Sequence, residues 1–88
     1  MHNEILNVCR VCGYRPEVPP WGLDGETPSW EICPSCGVEF GYEDVSAESV
    51  RRYRAKWRAS GNHWTDAAVP ADGMTVEDRL QRVPEEYR

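Results

Sequence analysis

Cys9-Arg-Val-Cys12-Gly13 and Cys33-Pro-Ser-Cys36-Gly37 repeat one frame, with 20 residues between Cys12 and Cys33. A cysteine at each end of a four-residue turn brings both sulfur atoms to one side, and Pro34 suits the second turn position. The glycine after each pair lets the chain leave through a left-handed conformation while nearby amides point at sulfur. One such pair is weak evidence. Two in the same frame, spaced C-x2-C-x20-C-x2-C, specify a four-thiolate site with Cys9, Cys12, Cys33 and Cys36 as metal ligands.

The competing readings are structural disulfides or a redox-active pair. A redox pair is expected beside a βαβ pattern, which the chain lacks, and a disulfide framework needs an oxidising compartment. Ionising four thiols and binding one divalent ion would move the formal charge from −5 to −7. Four sulfur ligands suit Zn2+ or iron and do not by themselves choose between the two ions. A tetrahedral four-thiolate zinc has no open position for water or substrate. No catalytic residue and no separate cofactor-binding residue is therefore assigned.

Other residues able to do chemistry have plainer roles. His63 and Asp66 could form a dyad or a fifth ligand, but no nucleophile is identifiable nearby and four cysteines already fill a tetrahedron, so packing or surface is expected. His2 is expected in a mobile N-terminal end. Arg51, Arg54 and Arg58 share one helix face, with Arg52 and Lys56 on the far side from the apolar stripe. They could contact an acidic partner or phosphate; a solvated face balancing the acidic ribbon is the expected reading. Neither a phosphate-binding glycine loop nor a zinc-peptidase motif is present.

The elements that must position the cysteines divide the chain into three segments of one expected domain, 1–88. Residues 1–45 form the metal ribbon: they hold all the cysteines, five of the seven prolines and five of the seven glycines, the composition of turns joined by short strands. Val38, Phe40 and Tyr42 alternate with Glu39, Gly41 and Glu43, and Trp30 and Ile32 flank Glu31, so strands are expected there. The segment between the knuckles reads as a turn-laden loop pinned by Trp21. Residues 46–61 hold a helix, with Ala47, Val50, Tyr53 and Trp57 on one side. Ser46 suits its N-cap, Glu48 its first turn, Arg58 its last, and Gly61 the residue that ends it. In the extension 62–88, Thr75 to Asp78 has a capping-box form, predicting a helix from about Val76 to Val83 before Pro84 and a loose tail beyond.

Composition sets the limits. With 88 residues, 40% hydrophobic, the chain is that of a small folded domain, and a chain this short buries only somewhat over ~60% of its unfolded surface, so a staple is expected. No stretch approaches the ~18 apolar residues of a membrane-spanning helix, and MHNEILNVCR lacks the features of a signal peptide, so a cytoplasmic location and no membrane contact are expected. Charge falls unevenly: −6 over residues 1–45, +4 over 46–62 and −3 over 63–88. An acidic body with one basic segment disfavours nucleic acid as a partner.

CRVCGY at 9–14, Thr27-Pro28, Trp30 and CPSCG together resemble the motifs of rubredoxins, one-iron electron carriers, over residues 9 to about 40. Trp30 lies three residues before Cys33 where rubredoxins usually have two, the inter-knuckle segment is shorter, and 46–88 has no counterpart. Trp-Glu-Ile-Cys-Pro-Ser-Cys at 30–36, Glu-Phe-Gly-Tyr-Glu-Asp at 39–44, Tyr53-Arg-Ala-Lys-Trp57 and Trp64 look similar to small bacterial cysteine-rich proteins of the cysteine-proline-cysteine-cysteine type and related uncharacterised zinc ribbons. The first knuckle departs from that type. This second resemblance, over roughly residues 9 to 64, implies a zinc-ribbon-like fold with a packed helix and carries no settled activity.

The expected fold class is thus a small metal-stapled α+β domain: zinc-ribbon or rubredoxin-like antiparallel strands with a C-terminal helix docked through Val50, Tyr53 and Trp57. The expected function is non-enzymatic, a zinc-binding structural module that engages an unidentified protein partner. The alternatives are a rubredoxin-like iron electron carrier and, third, nucleic-acid binding through the basic helix.

Overall fold

The computed structural model describes residues 7–88. His2 and the opening residues of MHNEILNVCR lie outside them. The element order is helix α1 (Ala47–Ala59), a short helix α2 (Val76–Leu80) and a 3-10 turn (Glu85–Tyr87).

The expected antiparallel strands are not formed: among the described residues the sheet is reduced to one isolated antiparallel bridge, Ile32 to Glu39. This overturns the zinc-ribbon and rubredoxin-like fold class. The chain leaves extended geometry on both sides of the bridge, with Trp30 at φ 64° and Gly41 at φ 97°. Gly41 N–H donates to the Asp44 carboxylate at 2.7 Å, and Tyr42 N–H turns back to the Glu39 carbonyl at 3.1 Å. The alternation therefore stops at Phe40: Val38 and Phe40 are buried, whereas Tyr42 is 71% exposed.

Why the first knuckle lacks even a bridge follows from one residue. In the second knuckle the bridge is closed by Phe40 N–H donating to the Glu31 carbonyl. The position equivalent to Phe40 in the first knuckle is Pro16, which has no N–H to donate.

Helix α1 forms as its sequence predicts. Ser46 caps it, accepting from Ser49 N–H at 3.1 Å, and the Ser49 side chain accepts from Ser46 N–H in return. Gly61 ends it at φ 98°, and Asn62 N–H returns to the Trp57 carbonyl. Val50 and Trp57 are buried and Tyr53 packs against the same core, which contains all four cysteines together with Val11, Val38 and Phe40.

Residues 62–88 depart from expectation. Thr75 Oγ1 caps α2 by accepting from Asp78 N–H at 3.0 Å, but the α-helix stops at Leu80 and shorter-range turns carry the chain to the buried Val83. The tail after Pro84 is docked, not loose. The turn at Glu85–Tyr87 lies against α1, and Tyr87 packs on the core.

The inter-knuckle loop is a chain of turns pinned by Trp21. Its Nε1–H donates to the fully buried Asp44 carboxylate at 2.9 Å, and its carbonyl accepts from Thr27 N–H. Arg10 lies between the faces of Trp21 and Tyr87, its guanidinium carbon 3.9 Å and 4.4 Å from the ring centroids. Such stacking joins the loop to the C-terminal turn.

Candidate metal centre

Both knuckles use the same local hydrogen bonds. Cys9 N–H donates to the Tyr14 carbonyl at 2.8 Å and Gly13 N–H to the Cys9 carbonyl at 2.9 Å. Cys33 N–H donates to the Val38 carbonyl and Gly37 N–H to the Cys33 carbonyl, each at 2.9 Å. Gly13 and Gly37 adopt φ 80° and 83°, the left-handed exit that glycine permits without a Cβ penalty.

The knuckles face each other. Cys9 Sγ lies 3.7 Å from Cys36 Sγ, and Cys12 Sγ lies 3.7 Å from Cys33 Sγ. All four sulfurs lie within 4.8 Å of one another, and all four residues are buried. A Zn–S distance of about 2.3 Å puts the corners of a tetrahedron about 3.8 Å apart, so the spacing and donor set fit a four-thiolate metal ion. Such separations are far longer than a disulfide bond of about 2.0 Å.

Electrostatics give the same reading. Burial pushes the Cys9 and Cys36 thiols well above their usual range, and the hydrogen-bonded Cys12 and Cys33 add to the shift. For Cys12 burial acts upward too, but hydrogen bonds from Cys33, Cys36, Cys9 and Ser35 outweigh it and bring the thiol well below its usual range. Ionising Cys9 and Cys36 against this burial calls for a cation among the sulfurs.

A shell of donors from residues 53–82 encloses the knuckles. Around the first, Arg54 donates through Nε to the Val11 carbonyl at 2.7 Å and through Nη2 to the Arg10 carbonyl at 2.8 Å and the Tyr87 carbonyl at 2.7 Å. Arg82 Nη2 donates to the Gly13 carbonyl. Around the second, Thr65 N–H donates to the carbonyls of Pro34 and Ser35, Asp66 N–H to Pro34, and the Tyr53 hydroxyl to Cys36 at 3.0 Å. Arg79, 6% exposed, donates to Ser35 Oγ at 3.2 Å, pairs with Asp72 at 3.4 Å and lies over the Trp64 ring.

Cys9, Cys12, Cys33 and Cys36 are brought together as their spacing predicts. Of the basic face Arg54 is turned inward, while Arg51, Arg52 and Lys56 stay exposed. Arg54 is half-buried on the first knuckle, Arg58 pairs with Glu77 at 2.9 Å, Arg51 reaches the Glu86 carbonyl and Arg52 pairs with Glu48. Burial lowers the Arg54 pKa from its ordinary value. His63 is exposed, its carbonyl accepting from Trp57 Nε1 at 2.8 Å. Sequence reasoning missed Arg54, Arg79 and Arg82 as supports of the centre and Asp44 as a buried hub. The signal was the knuckle carbonyls at positions 10, 11 and 13, which no local amide satisfies and which must find donors elsewhere.

No family model matches the chain. It is similar to an uncharacterised protein, YozI, of Bacillus subtilis (strain 168), with 32% identity over 72 residues that cover 64% of this chain and 60% of that protein. The chain thus spans less than two thirds of the relative's length. No solved structure matches. No helix among the described residues is long and apolar enough to cross a membrane.

Proposed function

We propose that the protein is a zinc-binding structural module that engages a protein partner. The supporting observation is the meeting of four buried cysteine sulfurs from two identical knuckles, with both cross-knuckle separations at 3.7 Å. Four thiolates close the coordination of a tetrahedral ion, so the metal holds the knuckles together and leaves no position for substrate. The three segments act as one domain in this reading, because residues 53–82 supply the donors that the knuckle carbonyls need. Nucleic acid is disfavoured as a partner by the acidic segments on both sides of the basic helix and the net charge of −5. The reading places the protein in the cytoplasm, where thiols stay reduced.

Iron is the competing ion, since tetrahedral sulfur suits both. Metal analysis with a visible spectrum separates them. Protein purified without metal supplementation is expected to be colourless, with about one zinc per chain. Red protein with stoichiometric iron and reversible one-electron reduction would replace the structural reading with an electron carrier.

A further inference from the structure

From the groove beside the second knuckle we infer that the protein partner is gripped through a short extended segment carrying an apolar side chain flanked by lysine or arginine. The groove holds about 530 Å³, and Tyr14, Pro16, Val18, Ile32, Val69 and Pro70 are among its walls. That size is ample for one or two side chains of a bound peptide. Ile32 is 54% exposed and Val18 47%, so the walls present apolar surface to solvent in a chain that buries its other knuckle-flanking aliphatics, Val8, Val11 and Val38.

The polar character of the groove is one-sided. Glu17, Glu31 and Asp66 line it together with Pro34, and among the described residues no lysine, arginine or histidine does. Prolines have no N–H, and carboxylates only accept, so the site is rich in acceptors and poor in donors. An apolar floor with an anionic rim complements a cationic, donor-rich segment, and the net charge of −5 steers the same kind of partner. A like-charged acidic peptide is repelled.

The backbone adds a further handle. In the bridge to Glu39 the bonds run from Cys33 N–H to the Val38 carbonyl and from Phe40 N–H to the Glu31 carbonyl. Ile32 is therefore the wide, non-bonded member of the pair, and its own N–H and C=O point away from Glu39. They find no backbone partner among the described residues. Extended backbone laid along residues 31–33 can take both, which is strand addition at its shortest.

The inference rests on the metal-held, partner-binding reading, and its test keeps the two apart. Random twelve-residue peptides displayed on phage are selected against the metal-containing protein, whose metal content and melting temperature are measured first. Enriched peptides should carry an aliphatic residue next to lysine or arginine. A synthetic copy should shift the Ile32 amide resonance, weaken with salt, and lose at least tenfold in affinity against Ile32→Arg. The double variant Glu17→Gln/Glu31→Gln should bind about tenfold less tightly while retaining metal and melting temperature. Acidic or purely apolar winners, winners indifferent to Ile32→Arg, or no enrichment from a folded, metal-loaded protein would overturn the groove assignment. Concentration-dependent dimerisation abolished by Ile32→Arg would give the groove to a second copy and overturn it too. A protein lacking metal would instead overturn the structural-zinc reading.

Discussion

The two knuckles share a frame, a hydrogen-bond pattern and a glycine conformation, yet the rest of the chain supports them differently. The carbonyls of the first are taken by guanidinium groups on long side chains, Arg54 and Arg82. Those of the second are taken mainly by backbone amides of Thr65 and Asp66 and by the neutral hydroxyl of Tyr53. A local motif thus dictates its own turn and leaves its outward-facing acceptors to be answered by whatever packs on it. The first knuckle depends on a few charged side chains, whereas the second is held by a stretch of main chain that side-chain truncation leaves in place.

The strongest way to break this contrast is to remove what the knuckles share. A closed four-thiolate zinc contributes ~10–16 kcal/mol of apparent binding energy coupled to folding. Chelation or Cys36→Ser is therefore expected to disorder both knuckles together, read as collapse of amide dispersion in NMR spectra. Native resonances persisting in the first knuckle would show that it stands without the second.

Smaller and more discriminating is the pair of glycines. Any Cβ at φ near 80° carries left-handed strain of ~1–2 kcal/mol. At Gly13 it would also run into the main-chain carbonyl of Arg79, whereas at Gly37 its nearest neighbour is the Thr65 side chain at 3.0 Å. Overpacking against main chain adds ~1–3 kcal/mol. Gly13→Ala should thus cost about 2–5 kcal/mol and Gly37→Ala about 1–2 kcal/mol in denaturant unfolding. Equal costs would erase the difference between the knuckles.

Arg54→Ala withdraws donors from three carbonyls together and should cost about 3 kcal/mol, with water reaching part of the half-buried site. Tyr53→Phe removes a single neutral donor from the second knuckle and should cost about 1 kcal/mol. Melting temperatures of the two variants should fall in that order; the reverse order would make the second knuckle the more dependent one.

The smallest effect is in alkali. Burial, followed by the charge of nearby Cys36, pushes Tyr53 from 10.0 up to about 12. The folded state therefore favours the protonated phenol. Its contribution is complete below the unfolded value near 10.0 and is lost as pH rises through about 12. Wild type should lose stability over that window more steeply than Tyr53→Phe, as followed by circular dichroism.

What could be read from the chain was whatever is set by neighbours in sequence. The cysteine spacing, the exit glycines, the Ser46 cap, the Gly61 stop and the stripe of Val50, Tyr53 and Trp57 each follow from contacts within a few residues, and each is found in place. The strands failed because alternation from Val38 to Tyr42 is only a local preference. It yields when the Asp44 side chain captures Gly41 N–H and folds a turn. The docked tail and the inward arginines were hidden for the opposite reason. Arg54 looks like part of a solvated basic stripe until one asks which carbonyls, 43 and 44 residues earlier, lack donors.

The contact between Arg82 and the Gly13 carbonyl spans 69 residues of chain, and it bears on the order of assembly. During synthesis both knuckles emerge well before α2, and closing the short loop between them has only a modest entropic cost. Meeting of the knuckles can therefore come early, from local segments, while closure around the first knuckle waits for Arg82. A nascent chain whose knuckles have met but that lacks Arg82 would present the open carbonyl of Gly13 to its surroundings. Non-local contacts of this kind slow the final step of folding. The interval between the meeting of the knuckles and the docking of Arg82 is thus one in which this chain is open to mispairing with its neighbours.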